Sequence, residues 1–246
     1  METPKRTYVW GIPTRIFHWL LMMALVGAYI AEEGNLTLHI ALGYTAGLLV
    51  LFRIIWGLIG PRYSRFRDFP VGWKAQADFI KKFGKNSQTS AGHNPPASLV
   101  MLGILLAVLW VALSGMLTLA QEGGQGVFNT VSLPAGIEFK EFHEAGVQVL
   151  IALVVLHFLG VFTDLFLHRA DSSLKSIFTG YKTGVEQENA KLTLLQKGFA
   201  AIWLLVPLVA FFTIVTGPSV QLNEKAGKTE AAGYEHGQDE DDETDD

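Results

Sequence analysis

The segment Ala97–Ala120, ASLVMLGILLAVLWVALSGMLTLA, decides the fold because it is long, apolar and free of charged residues. A helix needs about 20 apolar residues to cross the hydrocarbon core of a bilayer. The rest of the 246-residue chain fits the same environment, since only 17% of its residues are charged. An ordinary soluble domain has about 25% charged residues. We therefore expect an integral membrane protein.

Four further stretches carry at most one charged residue each and approach or reach the length of a membrane span. They are Ile16–Ala31, Leu38–Ile59, Ala145–Thr163 and Phe199–Thr216. We predict an all-α integral membrane protein in three parts: a four-span bundle over residues 1–184, an additional transmembrane helix within 185–217, and an acidic, disordered tail over 218–246. Pro207 lies inside the fifth span. We expect it either to kink this helix or to leave backbone groups that form hydrogen bonds with neighbouring helices.

The positions of Lys and Arg predict the orientation of the spans. All but three of the 19 Lys and Arg residues fall on one side of the predicted membrane. Because cytoplasmic loops are enriched in these residues, we expect a bacterial inner-membrane protein with its N-terminus in the cytoplasm and its C-terminus in the periplasm. The basic 60–96 loop fits equally a short helix lying on the inner surface and a solvated loop.

The composition excludes several classes of protein. The chain contains no Cys, which excludes disulfides, thiolate metal sites, iron–sulfur clusters and a covalently attached c-type haem. The net charge is −4, and the acidic residues concentrate in the 218–246 tail. We therefore do not expect a nucleic-acid binder.

Four histidines lie at the ends or in the middle of the predicted helices in a pattern that indicates paired ligands. His143 and His157 are fourteen residues apart on the fourth span, so both leave the same helix face about 21 Å apart along the axis. His18 lies at the inner end of the first span and His39 at the outer end of the second. Depth therefore pairs His18 with His157, and His39 with His143.

Paired imidazoles from facing helices hold haem b without a covalent bond, which suits a chain without Cys. We therefore predict two haem b groups. His18 and His157 are the expected iron ligands of the inner haem. His39 and His143 are the expected iron ligands of the outer haem.

Other residues near these sites have two interpretations each. His93 and His168 fit interfacial polar residues, although His168 is also an alternative inner ligand. Nearby glycines either let a porphyrin approach the backbone or allow helices to pack closely; these are Gly43, Gly47, Gly146 and Gly160. Arg15 and Arg53 lie at the inner end, as candidates for pairing with haem propionates or for snorkelling to lipid phosphate.

Short motifs surround the candidate ligands. The first span opens with VWGIPTRIFHW (9–19), the second holds HIALGY (39–44), Phe52-Arg53 and WGLIGPRY (56–63), and HNP (93–95) precedes the third. With His143-Glu144, Leu156-His157 and IFTG (177–180), they resemble the bacterial cytochrome b561 and nickel-iron hydrogenase cytochrome b-subunit family. The resemblance covers about residues 8–184.

The resemblance implies a four-helix membrane cytochrome with two b haems that transfers electrons between quinone and a partner protein. It gives the ligand roles to the same four histidines. The chain departs from the family pattern after about residue 185, which leaves the partner open. We expect a periplasmic redox protein, such as a c-type cytochrome or a hydrogenase-like subunit. The acidic tail either attracts such a partner, if it is cationic, or only solvates the terminus.

The leading hypothesis is thus an electron-transfer subunit of an oxidoreductase complex rather than a stand-alone enzyme. One alternative is a superoxide:quinone oxidoreductase acting alone, with superoxide reacting at the outer haem. The other is a non-redox membrane anchor or transporter, whose histidines would relay protons or carry metal ions. No sequence motif assigns a quinone site.

Overall fold

The computed structural model of the chain describes residues 6–82, 91–168, 173–183 and 187–218. The predicted acidic tail lies outside these residues beyond position 218, as does the side chain of His168. Most of the described chain is helical.

Five helices are long and apolar enough to cross a membrane, which confirms the five predicted spans. They are α1 (Ile12–Ala31), α2 (Leu36–Ile59), α4 (Pro95–Gly123), α5 (Phe139–His168) and α7 (Leu194–Val215). Their lengths of 20 to 30 residues correspond to roughly 30–45 Å at 1.5 Å per residue, enough to span the hydrocarbon core. The protein is therefore a multi-pass membrane protein.

The helix ends follow ordinary capping chemistry. The side chains of Asn35 and Asn94 accept hydrogen bonds from the third backbone N–H of α2 and α4, each at 2.9 Å. Thr193 and Gln196 form a capping box at the start of α7. Gly124 ends α4 in the left-handed conformation, at φ 58°, which costs glycine little because it has no Cβ. Polar residues thus satisfy the backbone groups that the spans leave free.

Helix α2 forms the centre of the bundle, in contact with α1, α4 and α7. Its side chains Leu49, Val50, Phe52 and Trp56 are completely buried. The additional helix α7 runs antiparallel to α2, since Gln196 donates to the Ile59 carbonyl at 2.7 Å and Trp203 reaches the Leu48 carbonyl. Its path through the buried Pro207 is continuous, so the proline does not end the helix.

Helix α5 packs along α4 and, near its end, against α6 (Ser173–Thr179). Its apolar surface is mostly exposed, as expected where lipid replaces protein neighbours. Within the described residues α5 does not pack closely against α1 or α2. The backbone of α5 is therefore separated from the α1–α2 pair by a gap wider than close helix packing.

A small layer of short elements covers one end of the bundle, which we call the capped end. It contains a two-stranded antiparallel sheet, in which β1 (Arg6–Tyr8) pairs with β2 (Tyr181–Thr183). It also contains α6, a 3-10 helix (Phe66–Asp68) and α3 (Trp73–Lys82). Helix α3 confirms the helical interpretation of the 60–96 loop for that segment. The opposite side of the bundle, with loops 32–35 and 124–138, is the open end.

Candidate functional site

His39 and His143 lie against each other at the open end. They are in the first turns of α2 and α5, and their ring centroids are 6.0 Å apart with an interplanar angle of 76°. The Nδ1 atom of His39 lies 2.9 Å from the Ala28 carbonyl, and that of His143 lies 2.9 Å from the Val111 carbonyl. A carbonyl can only accept, so each Nδ1 carries the proton and donates. The Nε2 atoms are left as the basic nitrogens.

This spacing is what two ligands of one metal ion require. A bond between a metal and an imidazole nitrogen is about 2 Å long, and the ring centroid lies about 1 Å behind that nitrogen. Two imidazoles on opposite sides of one metal therefore have centroids roughly 6 Å apart. Hydrogen bonds from the second nitrogen to carbonyls are also the usual way in which ligand histidines are oriented.

His18 and His157 lie on α1 and α5 towards the capped end. Their side chains interact electrostatically, which places them in one region of the bundle. The Nδ1 atom of His18 is buried and has no hydrogen-bond partner among the described residues. The structure thus brings His39 and His143 into contact and places His18 and His157 within electrostatic range of each other.

The glycines near the histidines fall into two groups. A Cβ added at Gly43 or Gly160 would meet no atom within 4 Å, so these positions face open space. A Cβ at Gly47 would lie 3.2 Å from Ala112, and one at Gly146 would lie 3.0 Å from Val111. The first pair is suited to the approach of a flat cofactor, whereas the second pair serves close packing against α4.

The two predicted propionate-binding arginines have different surroundings. Arg53 is 2% exposed and its guanidinium carbon lies 4.9 Å from the centroid of the Phe66 ring. It does not reach the membrane surface, so snorkelling to lipid is wrong for this residue. Arg15 donates to the Phe178 carbonyl. Each arginine keeps one buried nitrogen, Nε in Arg15 and Nη1 in Arg53, without a partner among the described residues.

His93 is half-buried among aromatic rings at the capped end. Its ring centroid lies 4.7 Å from Trp10 and 5.0 Å from Phe69, and its Nδ1 atom is buried without a partner among the described residues. Burial lowers the pKa of His93 to about 3, and the nearby basic groups act in the same direction. These groups are Arg53, Lys182, His157 and His18. His93 is therefore a neutral member of the capped-end cluster.

Gly115 is a second residue that the sequence did not single out. A Cβ at this position would lie 3.0 Å from the Cε1 and Nδ1 atoms of His143. The absence of a side chain on α4 at this point leaves room for the imidazole on α5. No local motif marks Gly115, because the contact depends on how α4 and α5 are rotated against each other.

Apolar spanning helices with two facing imidazole pairs define a class of protein, the multi-pass membrane cytochromes. Residues 9–180 match the sequence profile of a family described as Prokaryotic cytochrome b561, and the chain belongs to this family. It is thus a membrane b-type cytochrome that transfers electrons, with haem b as its cofactor. The resemblance noted from the sequence motifs is confirmed.

Two relatives illustrate the similarity. The chain is 21% identical over 214 residues, covering 72% of this chain and 90% of the relative, to a protein named "Probable Ni/Fe-hydrogenase 1 B-type cytochrome subunit" from Escherichia coli strain K12. It is 22% identical over 215 residues, covering 73% and 88%, to a "Probable Ni/Fe-hydrogenase B-type cytochrome subunit" from Cupriavidus necator. No solved structure matches the chain. Helix α7 lies beyond the residues that match the family.

The described residues fit haem b. Facing imidazoles with free Nε2 atoms suit axial ligation of iron, open space beside Gly43 and Gly160 suits a flat macrocycle, and unpaired arginine nitrogens suit propionate carboxylates. His39 and Gly43 lie on α2, and His143 and Gly160 lie on α5, the two helices on either side of the gap.

Proposed function

We propose that this protein holds two haem b groups and carries electrons between the quinone pool and a periplasmic redox partner. His39 and His143 ligate the iron of the haem at the open end, and His18 and His157 ligate the iron at the capped end. The observation that carries the proposal is the 6.0 Å separation of the His39 and His143 rings, with both Nδ1 atoms bonded to carbonyls.

Two haems rather than one are supported by depth. His143 and His157 are fourteen residues apart on α5, which corresponds to about 21 Å along the helix axis. One porphyrin cannot use both residues as axial ligands at that distance. Two such groups, if held at the depths of these histidine pairs, would each supply a one-electron carrier at its own end of the bundle.

Each part of the chain has a definite task in this proposal. Bound haem iron supplies reversible one-electron reduction. The imidazoles fix the iron, and the carbonyls of Ala28 and Val111 hold the open-end rings in their orientation. Arg15 and Arg53 bind propionates through the nitrogens that lack a protein partner. The apolar spans exclude water from the gap.

The distribution of cations supports an orientation with the capped end in the cytoplasm. Among the described residues, Lys140 is the single Lys or Arg at the open end. The others lie at the capped end or in the inner half of α2, as the positive-inside rule requires of cytoplasmic segments. Helix α7 runs from the capped end to the open end. In this orientation the chain leaves α7 on the periplasmic side of the inner membrane.

The partner is proposed from the relatives. Both are named as B-type cytochrome subunits of Ni/Fe-hydrogenases, which favours a role as the membrane subunit of a larger redox complex. The partner would then be a hydrogenase-like subunit or a c-type cytochrome docking at the open end. Quinone would exchange electrons with the haem at the other end.

Counting haem in single variants tests the ligand assignment. H39A and H143A should each lose the same haem, and H18A and H157A should each lose the other, as measured by pyridine haemochrome and redox titration. H236A, a change in the acidic tail, is the control and should keep two haems. If all four variants kept two low-spin haems, the ligand assignment would be wrong. A wild-type count of one haem would refute the two-haem arrangement.

A further inference from the structure

Two buried nitrogen atoms without hydrogen-bond partners among the described residues belong to side chains that contact the same aromatic ring at the capped end. They are the Nη1 atom of Arg53 and the Nδ1 atom of His93. The Phe69 ring touches both residues: its centroid is 5.8 Å from the guanidinium carbon of Arg53 and 5.0 Å from the imidazole centroid of His93. The two donors therefore border one small region between α2 and the start of α4.

Leaving such groups unpaired is costly. A buried cation without a counter-ion and a buried donor without an acceptor each destabilise a protein, and buried polar groups are nearly always satisfied. Here the unpaired groups belong to different elements. Their convergence on one place points to a missing acceptor shared by both.

The described protein groups around this region do not supply that acceptor. Asp68, between Phe66 and Phe69 in the sequence, accepts from the Arg65 Nε at 3.0 Å and from the Tyr63 backbone N–H at 3.1 Å, and it has no hydrogen bond to Arg53 or His93 among the described residues. The groups that act electrostatically on His93 are all basic: Arg53 on α2, Lys182 on β2, His157 on α5 and His18 on α1. Two of these groups, Arg53 and Lys182, are cations at neutral pH, and no acidic group among the described residues acts on His93. The site therefore favours an anion.

We propose that Arg53 and His93 form a single carboxylate-binding site that takes a propionate of the capped-end haem. Arg53 pairs with the carboxylate, and the Nδ1–H of His93 donates a second hydrogen bond to it. The inference rests on the proposed function, because it requires a haem between His18 and His157. His93 is then a positioning residue that fixes the macrocycle, and it is not an axial ligand.

The aromatic rings explain why the site is rigid. Trp10 and Phe69 flank the imidazole, and the Trp10 Nε1 is itself held by the Ser176 hydroxyl at 3.0 Å. The Arg53 guanidinium is confined by Phe66 and Phe69. Both donors are thus fixed before the carboxylate arrives, which lowers the entropic cost of binding it.

Redox titration of the purified full-length protein tests the site. Asn places an amide N–H close to the position of the imidazole Nδ1, whereas Phe keeps the ring between Trp10 and Phe69 without a donor. H93F and R53Q should each lower the midpoint potential of the capped-end haem, because a less neutralised propionate favours the ferric state. H93N and R53K should stay close to wild type. The open-end haem should be unchanged in all four variants.

Further outcomes separate this inference from the proposed function. The redox signal that is lost in H157A is the signal of the capped-end haem. If wild type holds two haems and H93F leaves both potentials unchanged, the carboxylate site is wrong while the proposed function stands. If H93F lost one haem, or if one of its haems became high-spin, His93 would be an iron ligand and the inference would also be wrong.

A measurement on H93N covers the case in which H93F does not accumulate. The propionate bending band in the resonance Raman spectrum depends on hydrogen bonding to the carboxylate. It should shift in H93N relative to wild type, since an amide donor replaces an imidazole donor. An unshifted band would show that His93 does not touch the propionate.

Discussion

At Gly43 and Gly160, protein packing alone and a bound cofactor predict opposite effects of an alanine substitution. An added Cβ meets no described atom within 4 Å at either site, and Ala is favoured over Gly in a helix by about 0.5–1 kcal/mol. Packing alone therefore predicts that G43A and G160A are neutral or stabilising. With a porphyrin in the gap, we expect G43A to lower haem content at the open end and G160A at the capped end, as measured by pyridine haemochrome.

Gly72 provides the matched control, since a Cβ there also meets no atom within 4 Å and the residue lies before α3, away from the histidines. G72A should bind as much haem as wild type. Full haem content in both G43A and G160A would show that no porphyrin lies against these glycines.

Gly115 should be sensitive for a different reason. Alanine at this position would press on the His143 ring, which lies 3.0 Å from the added Cβ. We expect G115A to lower the midpoint potential of the open-end haem or to convert part of it to a high-spin form, as seen in absorption spectra.

Gly103 on the same helix is the control for G115A. A Cβ there lies 3.3 Å from the Leu153 side chain on α5, so G103A disturbs packing between the same two helices without touching a histidine. It should leave both haem spectra unchanged. Equal spectral effects in G103A and G115A would mean that helix spacing, and not the imidazole, is responsible.

His93 should make the stability of the haem-free protein depend on pH. Burial lowers its pKa from 6.5 to about 3, so between these values the unfolded state binds more protons than the folded state. Stability therefore rises with pH through this window and is lost as pH falls from 6.5 towards 3. Haem-free wild type should melt at a lower temperature at pH 5 than at pH 7, and the difference should be smaller in H93F. Equal pH dependence in both proteins would exclude this role.

Helix α7 stabilises the bundle without contributing to either histidine pair. Phe199 stacks on Trp56 and Phe52, with interplanar angles of 6° and 15°. The half-buried F199A should lower the free energy of unfolding in detergent by roughly 2 kcal/mol, about half the loss for a fully buried Phe. Haem content should not change.

Ile202 on the same helix is 71% exposed and faces away from the bundle, so I202A is the matched control and should cost less than F199A. Loss of haem in F199A but not in I202A would contradict a purely structural role for α7.

The elements that the sequence predicted well are those set by local properties. Hydropathy predicted all five spans, because each span must itself be long and apolar enough to cross the hydrocarbon core. The contact between His39 and His143 agrees with the pairing by depth, since the rise per residue is the same in every helix. The β1–β2 pairing was not predicted, because three-residue strands far apart in sequence carry no pattern of their own. The aromatic surroundings of His93 were also not predicted, because only the folded chain brings Trp10 and Phe69 to it.

The molecule as a whole is asymmetric along the membrane normal. The capped end combines the small sheet, the short helices and most of the cations, whereas the open end holds short loops and the His39–His143 pair. The antiparallel packing of α7 on α2 means that the chain beyond Val215 leaves the bundle at the open end. The last described residues therefore lie at the same end as the His39–His143 pair, and the acidic sequence 236–246 follows them in the chain.

This arrangement predicts a salt-dependent effect of the tail on electron transfer. Seven of the last eight residues are acidic, and charge complementarity mainly raises association rates at low ionic strength. Deletion of residues 236–246 should slow electron exchange with a lysine-rich c-type cytochrome at low salt and have little effect at high salt, as measured by stopped-flow. A variant in which Asn and Gln replace these acids keeps the length and should be equally slow. Wild-type rates in both variants at low and high ionic strength would exclude the tail as a docking element.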